Sequence, residues 1–290
     1  MTTIHLGTSS WQFDDWKGVF YPSDLPKLEQ LSYYAQHFCT VEVNTSFYGL
    51  PKPSTLIHWL ESVPPGFTFA LKFPRAISHD KRLVDCEQES KAYLEVLRSL
   101  GEAAAPGFLQ LPPDFSRARH GRALANYLDW LATQASDLRL AVEVRSADLM
   151  TPALIKFLAE RGLGYVLVDR VGTPDLFATW WEATQQVAAQ VRPQFAFIRW
   201  IGDDKEGPAG NDQLVAPRDE QLAQWAQQLA QLANSGLAVY GYMHNPYEGH
   251  SPASLHRLHE QLGKVIELPA WSPVSQPQPA QAQPLQMSLL

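Results

Sequence analysis

The stretch LRLAVEVRSADLMTPALIKFLAERGLGYVLVDR, residues 138–170, holds one complete strand–helix–strand unit. Its opening run, 138–145, is rich in β-branched and aliphatic side chains and has the length of a strand. Thr151-Pro152 follows as an N-cap with proline at the first helical position. Leu154, Phe157 and Leu158 share one helix face, and Gly162 stands where a helix C-terminus is wanted. A second apolar run, GYVLVD at 164–169, closes the unit. Strands joined through a helix run parallel, so this segment predicts a parallel α/β sheet.

The same rhythm extends in both directions. Further strands are expected at 3–8, 39–44, 67–72, 107–111, 194–200 and 237–243. Helix faces are formed by Leu28, Leu31, Tyr34, Ala35 and Phe38, by Leu94, Leu97 and Leu100, by Leu124, Leu128 and Leu131, and by Leu222, Trp225, Leu229 and Leu232. Eight strands alternating with helices predict a single TIM-type (β/α)8 barrel over residues 1–268. The competing architecture is an open doubly wound sheet, which usually binds phosphate on a glycine-rich first turn. Here that turn reads GTSSWQF at 7–13, with one glycine and no GxGxxG, which favours the barrel. Residues 269–290 are rich in Pro, Gln and Ala and carry no charge, the composition of a disordered tail.

Composition narrows the function classes. A net charge of -7 argues against a general nucleic-acid binder, although a local basic pocket remains compatible with it. Cys39 and Cys86 form no CxxC pair, so neither a disulfide framework nor a zinc site is expected. No apolar run reaches membrane-spanning length and no leader peptide is visible, which makes the cytoplasm the expected compartment. Nine tryptophans suggest that some line a site rather than only fill the core.

Strand parity picks out the candidate site. Residues two apart on a strand share a face. Glu42 pairs in this way with Asn44, Glu143 with Arg145, Lys72 with Ala70, Arg199 with Phe197 and His244 with Tyr242, while Gln110 and Asp169 end their strands. Outer faces pack on helices and should be apolar, so these polar groups are expected inside the barrel. Each lies toward the C-terminal end of its strand, where barrel enzymes build their sites. A closed ion-pair network that fixes strand register would also explain buried charge, but it would be equally at home at the other end. Trp11, Phe47 and Tyr48 are expected to form an aromatic lid or lid core. His79 is either a ligand contact or an ordinary loop histidine, and Asn245 follows His244 at the same rim.

Several segments together resemble the YecE-like family, the domain of unknown function numbered 72. They are GTSSW at 7–11, Trp16 with FYP at 20–22, VEVNTSFYGLP at 41–51, FALKFPRAISH at 69–79, GFLQLPPDF at 107–115, VEVR at 142–145, VDR at 168–170 and IRW at 198–200. The likeness runs from Ile4 to about Leu262. It implies a TIM-type barrel and a set of pocket residues, not a reaction. The chain departs from the family pattern after strand seven, where Arg199-Trp200-Ile201-Gly202 lacks the usual histidine. After strand eight, Met243-His244-Asn245 matches only the second asparagine of a Phe-Asn-Asn run. A tryptophan usual after the VEFR-type strand is missing from SADLM. These changes point either to an altered substrate or to lost activity.

The leading functional expectation is an enzyme performing acid–base chemistry on a small polar, anionic or polyol-like ligand. Lys72, Arg145 and Arg199 offer cations for a phosphate or carboxylate, and Glu42, Glu143 and Asp169 offer acid–base groups. Glu143 or Glu42 is the expected base, with Lys72 as electrostatic clamp. No cofactor is assigned and no HxH or HExxH metal spacing appears. The alternatives are a metal-dependent barrel hydrolase or isomerase using Glu42, Glu143, Asp169 and His244, and a non-catalytic ligand-binding protein.

Overall fold

The computed structural model describes residues 4–208 and 210–267, so the expected tail at 269–290 lies outside the described residues. Strand β1 is Ile4–Thr8, β2 Thr40–Val43, β3 Thr68–Leu71 and β4 Gly107–Gln110. Strand β5 is Leu140–Glu143, β6 Gly164–Arg170, β7 Phe195–Gly202 and β8 Ala238–Met243. All pair in parallel, in the order β3-β2-β1-β8-β7-β6-β5-β4. Neighbours in the sheet are neighbours in sequence except where β8 returns to pair with β1, and the strand order never reverses. The two ends meet where the Phe73 N–H donates to Phe108 O at 2.9 Å and the Ala105 N–H to Phe69 O at 3.1 Å. Those bonds close the sheet into a barrel and exclude the open doubly wound alternative.

Helices follow the strands: α1 Gln30–Tyr34, α2 Pro53–Glu61, α3 Glu87–Ser99, α4 Arg117–Gln134, α5 Pro152–Ala159, α6 Phe177–Gln185, α7 Asp219–Asn234 and α8 Ser251–Gly263. Thr151 caps α5 as its sequence predicts, accepting from the Leu154 N–H at 3.2 Å. The first helix departs from expectation. It stops at Tyr34, Leu28 is exposed, and Ala35 and Phe38 are buried from the turn that follows. The helices α2, α6 and α8 are short or carry polar residues among their apolar ones, so the sequence shows no clear apolar face over them.

The barrel separates two cores. The outer one lies between strands and helices and contains Trp11, Trp16, Trp59, Trp180, Trp200 and Trp225, all buried. These six fill core, Trp130 and Trp181 pack partly buried against it, and Trp271 lies outside the described residues. The inner core is Ala70, Ala105, Phe108, Ala141, Val166, Phe195, Phe197, Tyr240 and Tyr242. It plugs the barrel from its N-terminal end to mid-height, leaving the polar residues one layer above. Gly7 is required by this closure, because a Cβ there would stand 1.9 Å from Thr40 O. No helix among the described residues is long and apolar enough to cross a membrane.

Candidate functional site

Strand alternation carries the inner core upward into the charged layer. Ala70 leads to Lys72, Phe108 to Gln110, Ala141 to Glu143 and Arg145, Phe197 to Arg199, and Tyr242 to His244. Thr40 faces Tyr242 across the interior at 3.0 Å between hydroxyls, so Glu42 and Asn44 are also turned inward. The parity expectation therefore gathers these groups at one mouth.

Arg199 is the hub. Its Nε donates to Glu42 Oε2 at 2.7 Å and its Nη2 to Glu42 Oε1 at 2.8 Å, a two-pronged pair. Its Nη1 donates to Glu143 Oε2, and to Gln110 Oε1 at 3.3 Å. The guanidinium also lies over the Phe108 ring, 4.8 Å from its centroid. Glu143 accepts a further bond from Arg145 Nε. Asn44 Nδ2 donates to Glu42 Oε1 at 2.7 Å and bridges to Ser9 O at 3.2 Å. Glu42 and Glu143 are wholly buried and Arg199 nearly so.

Two groups titrate differently from this locked centre. Lys72 Nζ donates to the neutral Gln110 Oε1 at 3.0 Å and stands 4.3 Å from the centre of the Phe47 ring. Burial, reinforced by the Arg199 charge, pulls its ammonium down to about 8. His244 Nε2 lies 3.4 Å from Glu42 Oε1, and burial holds the imidazole below its usual range despite that carboxylate. The carboxylates move the other way. Burial alone would raise Glu42, but Arg199 outweighs it and holds the group well below the carboxylate range. Glu143 is likewise pushed up by burial and brought down to about 2 by Arg199 and then Arg145. His244 also pulls Glu42 down when protonated, but it is neutral at pH 7, so Arg199 dominates there.

Carboxylates held this far down are weak bases at neutral pH. The expectation of Glu143 or Glu42 as general base thus conflicts with their surroundings, and Lys72, drawn down to about 8, is the group nearer neutrality. Lys72 bonds the neutral Gln110 amide rather than a carboxylate.

Four expected site residues are placed elsewhere or in other roles. Asp169 points away from the barrel interior. Its Oδ2 accepts from Trp225 Nε1 of α7 at 2.7 Å and from the Tyr247 hydroxyl at 2.8 Å, in the outer core. Alternation through Val166 and Val168 instead turns Arg170 inward, where its Nη2 meets Asp204 Oδ1 at 2.8 Å. The pairing of β6 with β7 also shifts register between Asp169 and Arg170. Trp11 packs edge-on against Trp59 and Phe69 in the outer core, not over the mouth. Asn245 is buried, and its Oδ1 accepts the Ser251 N–H at 2.9 Å and hydroxyl at 2.7 Å, fixing the start of α8. Tyr48 is exposed on the rim beside Phe47, so it covers nothing. His79 stands edge-to-face with Phe47 at 4.9 Å and bonds Ser78 Oγ.

Asp169 cannot join Glu42, Glu143 and His244 in a metal site, and the two glutamates are already occupied by Arg199. Among the described residues no cluster of three His, Cys, Asp or Glu side chains is positioned to hold a metal ion. Strand parity does not single out Arg170 or Asp204: both faces of β6 are apolar, so counting by twos reaches Arg170 only once Val166 is known to face inward.

A closed (β/α)8 barrel with an ionic centre at its C-terminal mouth defines the class. The chain belongs to the family described as "Protein of unknown function DUF72", which matches residues 5–281. It is 28% identical over 278 residues to UPF0759 protein YecE of Escherichia coli K12, covering 91% of this chain and 94% of that one. The crystal structure of a DUF72 family protein from Thermotoga maritima is similar over 92% of this chain and all of that chain, with TM-score 0.71 and 25% identity. A DUF72 family protein from Enterococcus faecalis superposes with TM-score 0.68 at 21% identity, over 92% of this chain and 97% of that one.

Proposed function

We propose that this protein is an enzyme performing acid–base chemistry on a small anionic or polyol-like ligand at the C-terminal mouth of the barrel. Lys72 carries the reading. It is a half-buried ammonium bonded to a neutral amide, with its pKa brought to about 8 and a carboxylate–arginine centre beneath it. A lysine in that state exchanges protons near neutrality, or attacks a carbonyl as the free amine. His244 is the second proton carrier. Glu42, Glu143 and Arg199 form the fixed electrostatic floor, and Asn44, Gln110, Arg145 and the Phe47 ring contact the ligand. Overall negative charge favours a small molecule over nucleic acid.

The test is a thermal-shift screen of organic acids, sugar phosphates and polyols, followed by NMR product analysis of every stabilising compound with the parent and with Lys72→Met. Turnover by the parent and its loss in Lys72→Met, with ligand-induced stabilisation retained, is the expected result. Equal turnover by the two proteins would remove Lys72 from the chemistry and the reading with it.

A further inference from the structure

We propose that Arg145 and Arg170 form a subsite for the dianionic phosphate of a phosphomonoester, occupied in this structure by the protein's own Asp204. It deepens the reading above and rests on the mouth being a small-molecule site.

Charge at the strand ends is the first ground. Lys72, Arg145, Arg170 and Arg199 face the mouth as cations, whereas only Glu42 and Glu143 face it as carboxylates from the strands. With His244 neutral, the strands leave an excess of two positive charges, the complement of a phosphomonoester dianion. A carboxylate from outside the strands meets this excess. Asp204 follows β7 and puts Oδ1 2.8 Å from Arg170 Nη2 and Oδ2 3.8 Å from Arg145 Nη1.

Unused donors are the second ground. Arg145 spends its Nε on Glu143, and its approach to Asp204 is too long for a hydrogen bond. Arg170 Nε is buried and has no hydrogen-bond acceptor. Two guanidinium groups are therefore held side by side with N–H groups to spare. A single carboxylate saturates neither, and a tetrahedral phosphate offers more acceptor oxygens than Asp204 does.

The third ground is how Asp204 is presented. Gly202 ends β7 at φ +74, and a Cβ there would lie 2.4 Å from Tyr247 Cα, so the chain leaves the strand in one direction only. Asp203 Oδ1 then accepts the N–H groups of Lys205 at 3.1 Å and Glu206 at 2.9 Å, making a tight turn with Asp204 on it. Asp204 is about one-third exposed, against less than one-fifth for each arginine. It is the member of the trio that can swing into water without breaking a strand. A phosphate entering from solvent takes its place, and the turn moves outward.

The experiment is isothermal titration of the full chain with methyl phosphate and with dimethyl phosphate at pH 7.5. The parent is expected to bind the dianionic monoester at least about tenfold more tightly than the monoanionic diester. Removing the internal competitor by Asp204→Asn should tighten methyl phosphate about fivefold, the equivalent of one exposed ion pair. A gain of binding cannot come from misfolding. Adding Arg170→Gln to that variant should abolish the gain. Equal affinity for the two esters, as a site for a nucleic-acid phosphodiester would give, overturns the proposal, and so does an unchanged affinity in Asp204→Asn. Failure is separable from failure of the acid–base reading. Methyl phosphate binding without turnover of any compound leaves the subsite standing, whereas Lys72-dependent turnover without methyl phosphate binding removes it.

Discussion

Replacing Arg199 with methionine strands one carboxylate in the interior. Glu143 keeps Arg145, but Glu42 is left with the Asn44 amide and a neutral His244. An unpaired buried carboxylate escapes by taking a proton. At pH 7, protonating a group of ordinary pKa 4.5 costs 1.36 kcal/mol for each of about 2.5 pH units, or about 3.4 kcal/mol. That falls in the ~3–5 kcal/mol range for breaking a buried ion pair from one side. The pH dependence has a definite sign. In the parent, Glu42 has a depressed folded pKa, so its contribution is present above the unfolded value and lost only as pH falls through the folded one. In Arg199→Met the folded pKa lies above the unfolded value, so the variant regains stability as pH falls from 7 toward 4.5. Urea unfolding should show a deficit of about 3.4 kcal/mol at pH 7, shrinking by about 1.4 kcal/mol per unit on acidification to about 0.7 kcal/mol at pH 5. The double variant Arg199→Met with Glu42→Gln should lose this slope. A deficit that stays flat between pH 7 and pH 5, or below about 1 kcal/mol at pH 7, would refute the argument that Arg199 holds Glu42 ionised.

Other consequences are open to direct measurement. NMR titration of 13C-dimethylated lysines should find one resonance, absent from Lys72→Met, with a midpoint near 8; a lowest midpoint above 10 contradicts the burial argument. Because that folded pKa lies below its ordinary 10.5, the parent should gain stability over Lys72→Met as pH rises from 8 to 10.5, and a falling difference would reverse the assignment. Asp169→Asn should cost ~1.5–3 kcal/mol through the weakened Trp225 and Tyr247 bonds, while leaving methyl phosphate affinity at the mouth unchanged. Gly202→Ala combines positive φ with a 2.4 Å clash and should lose more than about 1 kcal/mol in urea unfolding; parent-like stability would show that the turn can relax.

The strand count, the parallel barrel and the inward set Glu42, Asn44, Lys72, Gln110, Glu143, Arg145, Arg199 and His244 could all be read from the sequence. Each follows from local periodicity: 3.6 residues for helices, two for strands, with polar and apolar positions alternating near the strand ends. Asp169 shows where that reading stops. On β6 both faces are apolar, with Tyr165 and Leu167 outward and Val166 and Val168 inward, as is usual for a strand buried on two sides. Without contrast between the faces, the terminal aspartate and arginine could not be sorted by polarity. Tertiary packing sorts them, because Trp225 and Tyr247 supply hydrogen-bond donors on the outer side. Trp11 and Asn245 mislead for a related reason. Their sequence positions put them beside strand ends, but the neighbours that claim them, Trp59 on α2 and Ser251 on α8, come from elsewhere in the chain. The roles within the site also depended on tertiary structure. Sequence supplies the carboxylates and cations, but burial and the choice of which carboxylate meets which cation set their pKa shifts. Arg199 reaches Glu42 across 157 residues and Glu143 across 56, and so pairs both carboxylates while Lys72 is left on the neutral Gln110 amide. Periodicity carries no information about such distant pairs; only closure of the barrel brings them within hydrogen-bonding distance.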